Sequence, residues 1–415
     1  TSIAPQIHDG NKSAKRAKTT HTGSATAATA TTAKRAAAPR TKAASAPAFA
    51  AHYERRRRNR SLARAALDKG IARGFAAWLP SRTRAVARKY GMDAQWERQA
   101  LAIARERFVD PNDIALFRIE RPEELDHYIR RFEDAGFNKI INPQGWSRAC
   151  VLVDKAAFYR RCAAHGLPHP AVRAIYDHEV RDFRPARGHP LIAKPTHGEG
   201  GRGVALLPHT VSDITDQAAF AQAIAPYVDD RQVWVIQRAL GNHAALADYA
   251  MDALATARLT TMRDETGEPE LVSTVLRVPS LRGPVIDNMK AGGLIMPVDF
   301  ETGRADTACK GYGGGDYACH PVSGAAFADL QLPDWEKAVA LACHAHAAAF
   351  PEYTLIGWDI AFTPDGPMVV EGNAKPGVLM PQRSGRKGLA GQRYGELLAF
   401  NLERAETGRA AALAA

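Results

Sequence analysis

The sequence predicts an α+β fold, with antiparallel strands and interspersed helices behind a helical module and a basic tail. Three observations carry this prediction. Nine extended apolar runs of strand length fall between residues 172 and 372. Turn signals punctuate them at Glu265-Thr266-Gly267, Glu301-Thr302-Gly303 and Pro364-Asp365-Gly366, chemistry that closes hairpins rather than parallel crossovers. Before residue 137 strands are hard to find, and apolar residues recur at helical spacing instead.

Taken in order, residues 1–60 form the tail. Up to residue 50 it is Ala/Thr/Lys-rich, and its large apolar residues are Ile3, Ile7 and Phe49. Such a segment cannot bury enough surface to offset its ordering entropy, so disorder is expected. Residues 61–148 read as the helical module. Leu67, Ile71, Phe75 and Trp78 mark a first helix that Pro80 is expected to end; a second spans 93–108 and a third follows Pro122 to about residue 134. Residues 149–395 read as one α+β region, the candidate for any catalytic role. A helix opens at Asp154, and extended runs lie at 172–176, 190–195, 203–208, 232–238, 256–263, 270–278, 293–299, 354–363 and 367–372, with helices near 213–225 and 334–349. A C-terminal helix and tail occupy 396–415.

The formal charge of +11 comes from 55 Lys+Arg against 44 Asp+Glu. Thirteen basic and two acidic residues lie in 1–60, leaving 42 of each sign in 61–415. Residues 1–89 carry +17 and residues 90–415 carry −6, so the inference from a high pI to nucleic acid applies to the tail alone. The bland expectation for that tail is a disordered extension. The alternatives are nucleic acid held through phosphate contacts, or an anionic membrane. Arg55, Arg56, Arg57, Arg58 and Arg60 lead into the Leu67, Ile71, Phe75, Trp78 stripe, with Arg64, Lys69 and Arg73 elsewhere on the same helix. The favoured expectation is that the stripe packs on the catalytic body. No apolar run approaches the ~18–20 residues of a membrane span, and residues 1–30 contain no signal-peptide h-region. Five cysteines without a CxxC pair suit a reduced cytoplasmic protein, whose tail would allow a peripheral position at the inner membrane face. His344 and His346 lack the companion cysteines of a zinc site.

Two motifs carry chemistry. In LIAKPTHGEGGRGVALL (191–207), Gly198, Gly200 and Gly203 satisfy GxGxxG, with Gly201 between them. A dinucleotide fingerprint needs a helix after the glycines, whereas 204–207 reads as a strand. A protein kinase places its lysine after the loop and carries HRD; here Lys194 precedes the loop and HRD is absent. A strand–glycine loop–strand hairpin that folds over nucleotide phosphates remains. In IGWDIAFTPDGPMVVEGN (356–373), Asp359 sits on one arm of a hairpin, and Glu371 and Asn373, two apart, share a face of the other. Three hard oxygen donors suit Mg²⁺, and the apolar residues around them predict burial, which demands counter-charge.

In combination these residues resemble the ATP-grasp superfamily, in order and spacing over roughly residues 150–385. Asp154-Lys155 at a helix start, Lys194 before the flap, the hinge strand with Gln237, Arg238 and Leu240, and the Asp359, Glu371, Asn373 set match its pattern. Asn242-His243, Arg258, Asp287-Asn288, His320-Pro321 and Gly357-Trp358-Asp359 look like the sugar-transfer-associated group, related to glutamate ligases. The resemblance implies two α+β subdomains gripping ATP, with Lys155, Lys194, the flap glycines and the hinge on the nucleotide. Asp359, Glu371 and Asn373 would hold one or two Mg²⁺, or Mn²⁺. It implies a carboxylate–amine ligase acting through an acyl phosphate on small molecules such as an amino acid and a saccharide, in cell-surface polysaccharide synthesis. Arg258, Arg277 and Lys375 are candidates for the substrate carboxylate or the tetrahedral intermediate, with ordinary surface charge as the competing reading. His243 and His320 carry both a structural and a binding reading, the structural one favoured for His320. Phosphotransfer to a hydroxyl, and nucleotide binding without turnover, stay open as alternatives.

Overall fold

The computed structural model describes residues 46–198, 203–283 and 292–414. The expectations placed on residues 1–45, Gly200, Gly201 and Asp287-Asn288 lie outside these residues.

The N-terminal helices are α1 (Ala50–Arg58), α2 (Leu62–Tyr90), α3 (Ala94–Arg107), α4 (Pro111–Phe117) and α5 (Arg131–Ile141). The catalytic region adds α6 (Lys155–Ala164), α7 (His209–Ser212), α8 (Gln217–Ile224), α9 (Ala247–Ala250), α10 (Trp335–His344), α11 (Leu379–Gly385) and α12 (Arg393–Ala414). Its strands are β1 (Val172–Asp177), β2 (Glu179–Arg181), β3 (Leu191–Pro195), β4 (Ala205–Leu206), β5 (Trp234–Arg238), β6 (Thr256–Arg263), β7 (Pro269–Val278), β8 (Leu294–Met296), β9 (Ala308–Lys310), β10 (Asp316–Tyr317), β11 (Leu355–Thr363) and β12 (Gly366–Asn373).

Three expectations for the N-terminal half are corrected. Residues 46–58, read as tail, are ordered as a turn and α1. Ala46 and Phe49 are buried with Phe137 of α5 and with Leu397 and Leu398 of α12, and Arg55 Nε reaches Glu406 at 2.8 Å. Pro80 does not end the first helix but lies inside α2. Leu79, Thr83 and Val86 bury one continuous face across it, and that packing outweighs the ~3 kcal/mol cost of an interior proline. Residues 122–126 form only a short 3₁₀ turn, and the third long helix is α5, where Glu133 grips Arg130 at 2.8 Å.

The apolar stripe of α2 also departs from expectation. Residues 61–78 include no buried residue, and Leu62, Leu67, Ile71 and Trp78 are 91, 54, 51 and 42% exposed. Only Phe75 leans inward, its ring centroid 4.2 Å from that of Phe108. No helix among the described residues is long and apolar enough to cross a membrane.

Two antiparallel sheets build the catalytic region. The smaller runs β2-β1-β5-β3-β4 and the larger β10-β9-β8-β7-β6-β11-β12. All nine expected extended runs contain a strand, while the short β2, β9 and β10 carry too few residues to show periodicity. On the larger sheet, Leu259, Leu276, Ile356, Trp358 and Ile360 pack on one face into the main core with α6 and α10. The opposite face divides. α11 and α12 cover part of it through Met262, Val272, Leu355 and Leu397, and the remainder carries Arg258, Arg277 and Asp359.

A buried histidine ties α10's continuation to this sheet. His346 accepts from or donates to Thr261 Oγ1 at 2.8 Å through Nδ1, and its Nε2 lies 3.0 Å from the Tyr353 carbonyl. Burial pushes its pKa down to about 4, with Arg263 adding in the same direction against the Tyr353 hydrogen bond. Because the folded value lies below the ordinary one near 6.5, the unfolded chain takes up the proton first and stability falls with pH across that window. Chemical denaturation from neutral pH down to about 4 should show up to about 3 kcal/mol lost through this residue, and His346→Gln should flatten that part of the profile.

Candidate active site

The site begins with two lysines brought together by the first turn of α6. Asp154 caps that helix, its Oδ1 accepting from the Ala156 and Ala157 N–H groups at 2.9 and 3.2 Å. The Lys155 N–H donates to the Thr196 carbonyl at 3.1 Å, which pins the helix start to the end of β3. Lys155 Nζ then donates to the Gly198 carbonyl at 2.8 Å and stands 3.8 Å from Glu371. Lys194, on β3, is buried and donates to the Tyr159 hydroxyl at 2.7 Å; Tyr159 in turn donates to the Val370 carbonyl at 2.7 Å. Burial and the nearby Lys155 push the Lys194 pKa down to about 7, with Glu371 opposing. Two lysines crowded beside Glu371 make a candidate seat for a polyanion.

Gln237 on β5 is buried, and its Oε1 has no hydrogen-bond partner among the described residues. It shares a strand face with Val235, which packs with α6 residues. An orphaned buried acceptor there suits an amino donor such as that of adenine. Arg238 reaches Asp365 at 3.3 Å, Leu240 is half-buried beyond it, and Gly203 closes the flap end with a positive φ of 77°.

The carboxylates lie on the open part of the large sheet. Asp359 pairs in register with Glu371 on one side and Arg258 on the other, and Thr256 faces Arg277 across the next pair. Arg258 grips Asp359 with Nε on Oδ1 and with Nη2 on Oδ2 at 3.2 Å, while Arg277 Nη2 adds a bond to Oδ2 at 3.0 Å and another to Thr256. Burial alone would raise the Asp359 pKa; the two guanidinium groups outweigh it and hold the carboxyl below its ordinary value. A carboxylate offers about four lone-pair sites, and these bonds leave room on Oδ1. Glu371, about a third exposed, and Asn373, 3.4 Å from the Gly357 carbonyl through its amide nitrogen, complete a set of hard oxygen donors that fits Mg²⁺.

A family model for sugar-transfer associated ATP-grasp proteins matches residues 134–395, well over half of the chain. The chain belongs to that family. Among solved structures it is similar to an L-amino acid ligase from Bacillus licheniformis (14% identity, 54% of this chain and 40% of that one, TM-score 0.31). It is also similar to a D-alanine–D-alanine ligase from Bacillus anthracis complexed with ATP (13%, 63% and 68%, 0.34) and to the D-cycloserine synthetase DcsG (14%, 61% and 70%, 0.36). The chain thus spans 40% of the length of the first of these ligases and 68–70% of the other two. No curated protein matches the sequence.

The ATP-grasp match begins inside α5, earlier than residue 149, and the geometry gives a reason. Asn138 and Asn142 both donate to the Ala374 carbonyl, at 2.9 and 3.2 Å, and so hold the loop that leaves β12. Lys375 on this loop is exposed, its ammonium 4.7 Å over the Trp146 ring, and no contact among the described residues joins it to Asp359 or Glu371. His243 caps the turn 244–246, accepting from the Ala245 N–H at 3.1 Å, and His320 is buried with Nε2 2.9 Å from the Pro279 carbonyl; both have structural partners. Sequence reading missed Tyr159, although its position four residues after Lys155 places both on one helix face. It also missed the reason for Gly357.

A Cβ on Gly357 would fall 2.6 Å from Pro376 Cβ and 2.9 Å from Arg258 Cδ. Arg258 therefore lies across a strand position that has no side chain. Gly357→Ala should displace Arg258 or the Pro376 loop and cost about 1–3 kcal/mol, read as a lowered midpoint in denaturant. It should also reduce turnover, because Gly357 lies under Arg258 and faces Asn373 across the hairpin.

Proposed function

We propose that this chain is an ATP- and Mg²⁺-dependent ligase that joins a small carboxylate to an amine through an acyl phosphate. The observation that carries the reading is the convergence of Lys155 and Lys194 with Glu371, alongside Asp359 held between Arg258 and Arg277. Phosphoryl transfer asks little covalent chemistry of a protein and much positioning and charge neutralisation.

The substrate carboxylate oxygen attacks the γ-phosphorus, and the β–γ bridging oxygen leaves with ADP. The amine nitrogen then attacks the acyl carbon, phosphate departs, an amide forms and the amine gives up a proton. Lys155 and Lys194 would neutralise phosphate oxygens, and a glycine-rich sequence such as that after Pro195 suits backbone N–H contacts to them. Asp359, Glu371 and Asn373 would hold Mg²⁺, which when bound supplies charge neutralisation between the phosphates. Arg258 and Arg277 would orient the carboxylate or the oxyanion, sharing their charge with Asp359. The family's association with sugar transfer supports a saccharide or sugar-linked partner, with an amino acid as the other substrate, in cell-surface polysaccharide synthesis.

For location, we favour the cytoplasmic face of a membrane. The exposed Leu62, Leu67, Ile71 and Trp78 stand among Arg56, Arg57, Arg58, Arg60, Arg64, Lys69 and Arg73, a composition that suits an anionic lipid surface better than nucleic acid, which offers nothing to the apolar stripe. Vesicles containing anionic lipid should sediment the full chain, and Leu67→Glu with Ile71→Glu should release it; unchanged sedimentation of that variant rules the arm out.

Screening amino acids against sugar acids and amino sugars should give ADP and free phosphate only when both substrates are present, and hydroxylamine should trap the acyl phosphate as a hydroxamate. Lys194→Ala should lower kcat/KM by at least about 100-fold. A stable phosphorylated product would identify a kinase, and ATP binding without ADP release across the screen would identify a regulator.

A further inference from the structure

A second charged site lies away from the ATP cleft, between the helical module and α11. Its cavity of about 590 Å³ is lined by Arg118 and Arg121 after α4, by Glu124, and by Arg383, Arg386 and Lys387 at and beyond the end of α11. Three independent features set it apart.

The first is a buried charge without an acid. Arg383 is 4% exposed, and its guanidinium donates to the carbonyls of Leu116, Lys310 and Gly314 at 3.0, 3.3 and 3.4 Å. No carboxylate among the described residues lies within ion-pair distance of it. Burial lowers its pKa, and Arg118 and Arg386 press in the same direction. Buried charge is ordinarily paired.

The second is an uneven count. Five cations line the cavity, against Glu124 in the wall and Asp316 behind it. Asp316 is shared between Arg118 at 2.7 Å and Arg386 at 3.2 Å. Arg121 pairs with Glu124 at 3.1 Å, so five cations against two acids leave a net excess of three positive charges.

The third is backbone conformation. Arg118 and Arg386 both follow a helix with positive φ, 56° and 49°, positions where glycine is the least strained residue. Arginine occupies both. The walls are also fixed in place. Ala390 N–H donates to the His127 carbonyl at 2.9 Å, the Gln382 amide bonds both the N–H and the carbonyl of Ile129 at 2.9 Å, and a Cβ on Gly388 would fall 1.9 Å from the His127 carbonyl.

The geometry points to a preformed binding site for a phosphate ester of two to three negative charges, carried on a ring of sugar or nucleoside size. A monocarboxylate would leave most of the charge excess unmet, while a phosphate or diphosphate matches it and fits the arginine forks. The volume lies within the range of small-molecule sites, and the stacked Phe117 and Tyr128 rings, 5.1 Å apart, give the cavity an apolar side for the ring. The inference stands apart from the ligase reading, because it uses none of the residues of the ATP cleft.

Calorimetric titration of the full chain with pyrophosphate, a hexose 1-phosphate and a nucleoside diphosphate, at low and high salt, tests it. At least one probe should bind at low salt and weaken at high salt. Arg386→Gly, which relieves the positive φ, should stay folded and bind about tenfold more weakly. Arg386→Glu with Lys387→Glu should abolish binding, and Lys194→Ala should leave it intact. If the double variant melts early, Arg121→Glu, at a side chain 77% exposed, serves in its place. Preference for the hexose 1-phosphate assigns a saccharide ligand, and preference for the nucleoside diphosphate a nucleotide. Absence of binding by every probe, loss of binding in Lys194→Ala alone, or wild-type affinity in Arg386→Gly overturns the proposal.

Discussion

Asp359 is a buried carboxylate on β11, one strand in from the edge of the large sheet, and burying an unpaired carboxylate is among the most unfavourable things a fold can do. The chain resolves this with two arginines from two neighbouring strands, Arg258 on β6 and Arg277 on β7, so that one carboxylate ties three strands on one face of the sheet. The rest of the site follows from that arrangement. The Arg258 side chain that grips Asp359 lies over position 357 of β11, and Pro376 packs onto the same bare position, so a side chain there would meet both. The loop from Asn373 to α11 is thereby set against the sheet at one end and against Asn138 and Asn142 at the other.

A second bridge joins the two sheets. Lys194 belongs to the small sheet and Val370 to the large one, and the Tyr159 hydroxyl accepts from the first while donating to the second. A cleft that must hold a flexible polyanion gains from such a link, since the cations on one sheet and the carboxylates on the other need a fixed separation. The chain from residue 90 onward carries −6, so phosphate affinity here cannot come from a general positive field. On the proposed reading it would come from a few cations at short range, such as the closely set Lys155 and Lys194.

The strands of the catalytic region were legible because both their length and their punctuation were strong: β6 and β7 meet at Glu265-Thr266-Gly267, and β11 and β12 at Pro364-Asp365-Gly366. That Asp359, Glu371 and Asn373 share a face was legible because a two-residue period fixes it, and the register pairs Asp359 with Glu371 as that period requires. What escaped was tertiary. Pro80 reads as a helix end unless the buried faces before and after it are known to continue into each other. Residues 46–58 read as tail because Phe49 is their single large aliphatic or aromatic anchor apart from Tyr53, and its partners lie in α5 and α12. The role of Gly357 depends on Arg258, ninety-nine residues earlier in the chain, and no local pattern encodes it.

The helical module also proves to be more than a preface. Its α5 and the following turn support the Ala374 loop, and the Leu116 carbonyl at the end of α4 is one of three that satisfy Arg383. α11 is therefore held from both directions: its first residues continue from the loop that carries Asn373, and its last residues reach the module. A helix of two turns so placed has little freedom to shift without disturbing both ends, because packed interfaces resist gradual deformation. The donor hairpin and the arginine-lined cavity then share one short rigid element, and an anion that tightened Arg383 and Arg386 at its far end would favour the same seating of the loop behind Asn373. The physical requirement for such coupling is differential affinity between two arrangements of α11, and the arginine excess at its C-terminal end supplies the charge on which that difference would act.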